Sequence, residues 1–148
     1  MRLTNYTDYS LRVLIFLALK KDGELSKTKE IAENYNISRN HLIKIIHQLG
    51  QFGYIETIRG RNGGIKLAKA PKEINIGEVV SRTEEDFHIV DYFQQCGDYC
   101  ATSPSCKLKY ALHEALQSFL EILNRYTLED LVQNKEDLIR LFSSSLEH

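Results

Sequence analysis

Ser38-Arg39-Asn40-His41-Leu42-Ile43-Lys44-Ile45-Ile46-His47-Gln48-Leu49-Gly50-Gln51-Phe52-Gly53, followed by Tyr54-Ile55-Glu56-Thr57-Ile58-Arg59-Gly60-Arg61-Asn62-Gly63-Gly64-Ile65-Lys66-Leu67-Ala68, is the stretch that decides the fold. Ser38 is a helix-capping residue, and Leu42, Ile45, Ile46 and Leu49 recur at helical spacing on one face. Lys44, His47 and Gln48 fall on the outward face, and Gly53 stands where a left-handed residue closes a helix. The spacing predicts a helix over 39–52. Two short β-prone runs, 54–58 and 65–68, then flank Arg59-Gly60-Arg61-Asn62-Gly63-Gly64, where glycine permits the positive φ of a tight, basic hairpin tip.

Upstream, Leu11, Leu14, Ile15 and Ala18 predict a helix over 7–20. Ser26 is placed to cap a short helix over 27–35 with Ile31 and Ala32 inward, and Asn36-Ile37-Ser38 is a turn. Three helices and a basic hairpin make a winged helix-turn-helix, in a mainly α fold. The third helix would enter the major groove with Ser38, Arg39, Asn40, His41 and Lys44 near the base edges. Arg39 suits a guanine and Asn40 an adenine edge. Ser26, Lys27 and Thr28 would face phosphates. Arg59, Arg61, Asn62 and Gly63 of the wing would meet the minor groove. The bland alternative is an exposed, soluble hairpin.

Charge supports the same division. Residues 1–72 carry thirteen Lys/Arg against six Asp/Glu, and residues 73–148 carry six against fourteen. The basic half is attracted to a phosphate backbone and the acidic half is repelled by it, which orients the molecule on double-stranded DNA.

Beyond Pro71, Asn75 is placed to cap a helix over 76–84, and Ser103-Pro104 reads as the start of the longest helix. Leu108, Ala111, Leu112, Ala115, Leu116, Phe119, Leu120 and Leu123 form its apolar stripe. A stripe this long needs a partner surface, and a second copy of the same helix would supply one. Thr127 and Asn134 are placed to cap two further helices ending near Phe142. The domain reading is 1–72 for the DNA reader, 73–106 for a connecting helix and cysteine loop, and 107–142 for dimerisation. Leu146-Glu147-His148 reads as the start of a purification tag.

All three cysteines, Cys96, Cys100 and Cys106, fall inside one short, loop-like stretch that follows the connecting helix. No apolar run approaches a membrane span, and no cleavable leader is evident, so a cytoplasmic, thiol-reducing location is expected. There, clustered cysteines serve metal or redox chemistry more often than disulfides. Zinc usually takes tight Cys-x2-Cys pairs, which are absent, whereas an iron–sulfur cluster accepts more varied spacing. A thiol-redox switch through Cys100 and Cys106 without any cluster is a second reading. Control by a protein docking on the acidic half is a third. No phosphate-cradling loop or nucleophile–histidine arrangement points to an enzyme.

Leu3-Thr4-Asn5-Tyr6-Thr7-Asp8-Tyr9-Ser10-Leu11-Arg12, Ile31-Ala32-Glu33, Ile58-Arg59-Gly60-Arg61-Asn62-Gly63-Gly64 and Ile76-Gly77-Glu78-Val79-Val80 resemble the Rrf-type winged-helix transcription regulators. Within that family the opening segment and Glu84-Glu85-Asp86-Phe87 are most similar to the nitric-oxide-sensing repressors. The resemblance implies a homodimer with crossed long helices on a pseudo-palindromic operator, with nitric oxide as the signal. It implies an iron–sulfur cluster, 4Fe-4S ahead of 2Fe-2S, held by Cys96, Cys100, Cys106 and the partner subunit's Asp8. Arg12 would hold the Asp8 carboxylate, and Glu85 would stand behind it. The Cys96-x3-Cys100 spacing is shorter than the family's usual one.

Overall fold

A computed structural model describes residues 2–87 and 104–146. Helix α1 (Asn5–Ala18) begins two residues earlier than its apolar period suggests, because Thr4 caps it: the Thr7 amide donates to Thr4 Oγ1 at 3.3 Å. Val13, Leu14, Phe16 and Leu17 of α1 are buried. Helix α2 (Thr28–Tyr35) buries Ile31 and ends at Asn36, whose φ of 53° is left-handed. Helix α3 (Arg39–Gln51) buries Leu42, Ile45, Ile46 and Leu49, and Gly53 follows it at φ 84°.

Strands β1 (Ile55–Ile58) and β2 (Gly64–Leu67) form a two-stranded antiparallel hairpin in which Ile55 faces Leu67 and Ile58 faces Gly64. Ser26 pairs with Ile65 through both backbone groups, at 2.9 and 2.8 Å, which fastens the α1–α2 connection along the hairpin. After a short 3-10 turn at Pro71–Glu73, α4 (Ile76–Thr83) starts where Asn75 Oδ1 accepts from the Glu78 amide at 2.9 Å.

Helix α5 (Pro104–Leu123) is the longest, α6 (Leu128–Leu131) is a single turn, and α7 (Lys135–Leu146) runs beyond the expected end near Phe142. The 124–128 segment is stitched back to α4: Ile76 N donates to Tyr126 O at 3.0 Å and Leu128 N to Ile74 O at 2.9 Å. Leu128 itself is fully buried. Gly77 is needed here, since a Cβ would come within 2.8 Å of the Asn124 amide nitrogen. One apolar core therefore joins α1, α2, α3, the hairpin, α4 and α6. Among the described residues, α5 joins it at its carboxy-terminal end, through Leu120 and Leu123. Nearer its start, Leu108 and Tyr110 stand 55% and 74% exposed.

The end of α4 is tied to the start of α1 across 80 residues of sequence. Glu84, only 8% exposed, accepts from Thr7 Oγ1 at 2.6 Å, Thr4 Oγ1 at 3.2 Å and the Thr4 amide at 3.2 Å. Its negative charge also lies at the positive end of the α1 dipole. Glu84→Ala leaves the Thr7 hydroxyl and the Thr4 amide without that acceptor, and hydrogen bonds to a charged group are worth about 1.5–3 kcal/mol. Urea unfolding at fixed protein concentration is expected to show a lower midpoint with an unchanged slope. An unchanged midpoint would mean the tie contributes nothing.

Candidate nucleic-acid interface and cysteine segment

The amino-terminal turn of α3 is organised by its cap. Ser38 Oγ accepts from the His41 amide at 3.3 Å, and Ser38, Arg39, Asn40 and Lys44 are exposed. His41 is half-buried, its ring edge-on to Tyr9 at 5.4 Å, so it steadies α3 on α1 while one side stays accessible. Among the described residues no ion pair engages Arg39, Lys44, Arg59 or Arg61, whereas Lys20, Lys29, Lys66 and Arg82 are paired with Glu30, Glu33, Glu56 and Glu78. Cations without an internal partner keep their full charge for a phosphate or a base.

The wing is held by residues for which the sequence suggested another role. Ser26 is fully buried, with a hydroxyl that has no hydrogen-bond partner among the described residues. The expected phosphate contact from that hydroxyl is thus corrected: antiparallel pairing with Ile65 turns it inward. Ser26 does not cap α2 either. Lys27 occupies the cap position, without a side-chain cap bond, and Thr28 is half-buried at the first residue of α2. The Lys27 ammonium donates to the Gly63 carbonyl and, at 3.5 Å, to the Arg61 carbonyl, so it clamps the wing tip. Gly63 is buried, and its amide donates to Gly60 O at 3.0 Å. A Cβ there would meet the Arg59 carbonyl carbon at 2.9 Å. Gly63 therefore shapes the turn. With Gly60 at φ 112°, the turn leaves Arg59, Arg61 and Asn62 exposed.

Cys96 and Cys100 lie outside the described residues, and Cys106 falls in the first turn of α5. Among the described residues no group of three or more His, Cys, Asp or Glu side chains converges. Asp8, in the first turn of α1, pairs with Arg12 one turn on, Oδ1 to Nε at 3.1 Å, and both side chains are nearly half exposed, at 45% and 46%. The Arg12 guanidinium lies 5.8 Å from the centre of the Tyr35 ring, and the Tyr35 hydroxyl donates to Arg12 O at 3.1 Å. Burial, opposed by Arg12 and reinforced by Asp8, pushes the Tyr35 phenol up to about 12, which keeps it a donor. Glu85 is exposed. Its charge adds to burial in raising the Tyr6 phenol, which places that carboxylate beside the start of α1. Three thiols and an accessible, oriented carboxylate are a donor set whose chemistry suits an iron–sulfur group.

Sequence reasoning did not single out Glu84, whose partners are distant in sequence, or the clamp made by Lys27. It also passed over Ile43, which periodicity alone could have flagged, because it falls one turn after Arg39 and off the core face.

Residues 3–134 match the Rrf2 family model, described as iron-dependent transcriptional regulator. The chain is 61% identical over 141 residues to the HTH-type transcriptional regulator NsrR of Bacillus subtilis (strain 168), covering 95% of this chain and 97% of that one. It is 53% identical over 138 residues to NsrR of Geobacillus kaustophilus (strain HTA426), covering 93% and 94%. Among solved structures it is similar to CymR (YrzC), the global cysteine regulator of B. subtilis, with a TM-score of 0.70 at 26% identity over 90% of this chain and 98% of that one. The fold is also that of T. potens IscR, with a TM-score of 0.74 at 23% identity, covering 93% and 90%. The exposed capped helix, the clamped basic wing and these likenesses agree: the chain belongs to the Rrf2 family of winged-helix, DNA-binding transcription regulators, which are not enzymes.

Proposed function

We propose that this protein is a homodimeric repressor of nitrosative-stress genes whose hold on a pseudo-palindromic operator is set by a nitric-oxide-sensitive iron–sulfur cluster. The observation that carries this reading is the likeness, along nearly the whole chain, to regulators named NsrR, joined to three cysteines grouped in the sequence at positions 96, 100 and 106. Exposure of Leu108 and Tyr110 near the start of α5 supports a second copy packed on that helix.

Cys96, Cys100, Cys106 and the partner's Asp8 would hold the cluster, 4Fe-4S ahead of 2Fe-2S. When bound, it supplies iron that reacts with nitric oxide. Arg12 orients the Asp8 carboxylate, and Tyr35 braces Arg12 through its ring and hydroxyl. Because α1 and α3 share one core, a displacement of Asp8 is transmitted to the reading helix. Half-site spacing is fixed by the DNA turn, so a small shift between the two reading helices lowers affinity.

Anaerobic purification with cluster assembly intact is expected to give a coloured protein containing iron and sulfide. Titration with nitric oxide is then expected to release it from its operator. A colourless, iron-free protein that binds the operator equally well with and without nitric oxide would overturn the reading.

A further inference from the structure

Ile43 is 48% exposed on α3. It belongs neither to the apolar core nor to the hydrophobic side chains packed against that core. At 3.6 residues per turn it sits one turn after Arg39 and Asn40 and one turn before His47, with Lys44 adjacent. Leu42, Ile45, Ile46 and Leu49 occupy the opposite, buried face. Ile43 is thus an aliphatic side chain set within the polar and basic arc that faces outward. Local structure does not ask for it, since a β-branched residue is a poorer helix former than alanine or lysine. The major groove does have an aliphatic feature: thymine carries a C5-methyl group, while the other three bases present donors and acceptors there.

We propose that Ile43 packs against the C5-methyl of a thymine in each operator half-site and so specifies thymine at that step. This rests on the reading of α3 as the major-groove helix. Its stereochemistry is that of a shape contact between two apolar groups, in an arc where Arg39, Asn40 and Lys44 supply the hydrogen bonds and charge.

The test uses the full-length dimer and the duplex it retains from a randomised pool. Each thymine of that duplex is replaced in turn by deoxyuridine, which removes the methyl and keeps the base pair. Binding is read by fluorescence anisotropy at fixed salt. One thymine per half-site is expected to be sensitive, with a loss of about four-fold for each methyl no longer buried. Ile43→Ala should bind the thymine and deoxyuridine forms alike at that step, while Ile43→Val keeps the sensitivity. A wild type indifferent to every replacement, or an Ile43→Ala protein as sensitive as the wild type, would overturn the inference. If Arg39→Ala selects the same sequences as the wild type, the reading of α3 itself has failed. If Arg39→Ala changes the selection but Ile43→Ala leaves the methyl effect intact, only the role given to Ile43 has failed.

Discussion

Arg39→Ala is expected to change which sequences the protein binds, as well as how tightly it binds them. Arg39 is exposed in the first turn of a helix capped by Ser38, and no internal ion pair engages it among the described residues. A guanidinium so placed can donate two hydrogen bonds to guanine O6 and N7, worth about 1–3 kcal/mol of discrimination. In the proposed symmetric dimer the contact is made twice, so the preferred operator should lose roughly thirty-fold to twenty-thousand-fold in affinity. Operators altered at the guanine step should lose much less. Arg61→Ala is the control. Arg61 stands on the wing tip, and its loss should weaken binding to all sequences with little change in preference and a shallower salt dependence. Binding titrations on an operator panel at two salt concentrations separate the cases. A uniform loss across that panel for Arg39→Ala would remove its role as a base reader.

Cys106→Ala is expected to abolish the response to nitric oxide. For the wild type, loss of the specific complex means falling toward non-specific affinity, commonly a factor of a thousand or more. Cys106 lies in the first turn of α5, where a thiolate would anchor the cluster to the helix proposed to join two copies. Without it the protein should purify with little iron, and its operator affinity should be the same before and after nitric oxide. Cys106→Ser keeps the size of the side chain and should behave alike. Thermal unfolding of both variants checks that they are folded. Asp8→Ala separates the cluster from a thiol switch. It should impair the response if the carboxylate is a ligand, and leave it whole if sensing is oxidation of Cys100 and Cys106. Retained iron and a full response in Cys106→Ala would exclude that residue from the site.

Particular residues show why the sequence was informative in some places and silent in others. Ser38, Asn75 and Thr127 were recognisable as caps because a capping side chain meets an amide only a few residues away. The hairpin was recognisable from β-prone runs on either side of a glycine-rich tip. Ser26 was misassigned because the same residue that caps helices can also pair with a strand, and its partner Ile65 lies far along the chain. The long apolar stripe of α5 was legible as a pattern. Which end of it packs on the core of its own chain, through Leu120 and Leu123, was not.

The amino-acid sequence alone determined the order of elements, the winged-helix plan and the separation of basic from acidic halves. Each of these is written in local spacing or in summed charge. Tertiary structure alone decided that Glu84 grips Thr4 and Thr7 and that Lys27 clamps the wing instead of standing free. Such contacts join groups brought together only when the core closes, and a one-dimensional pattern carries no record of which distant donor will meet which acceptor.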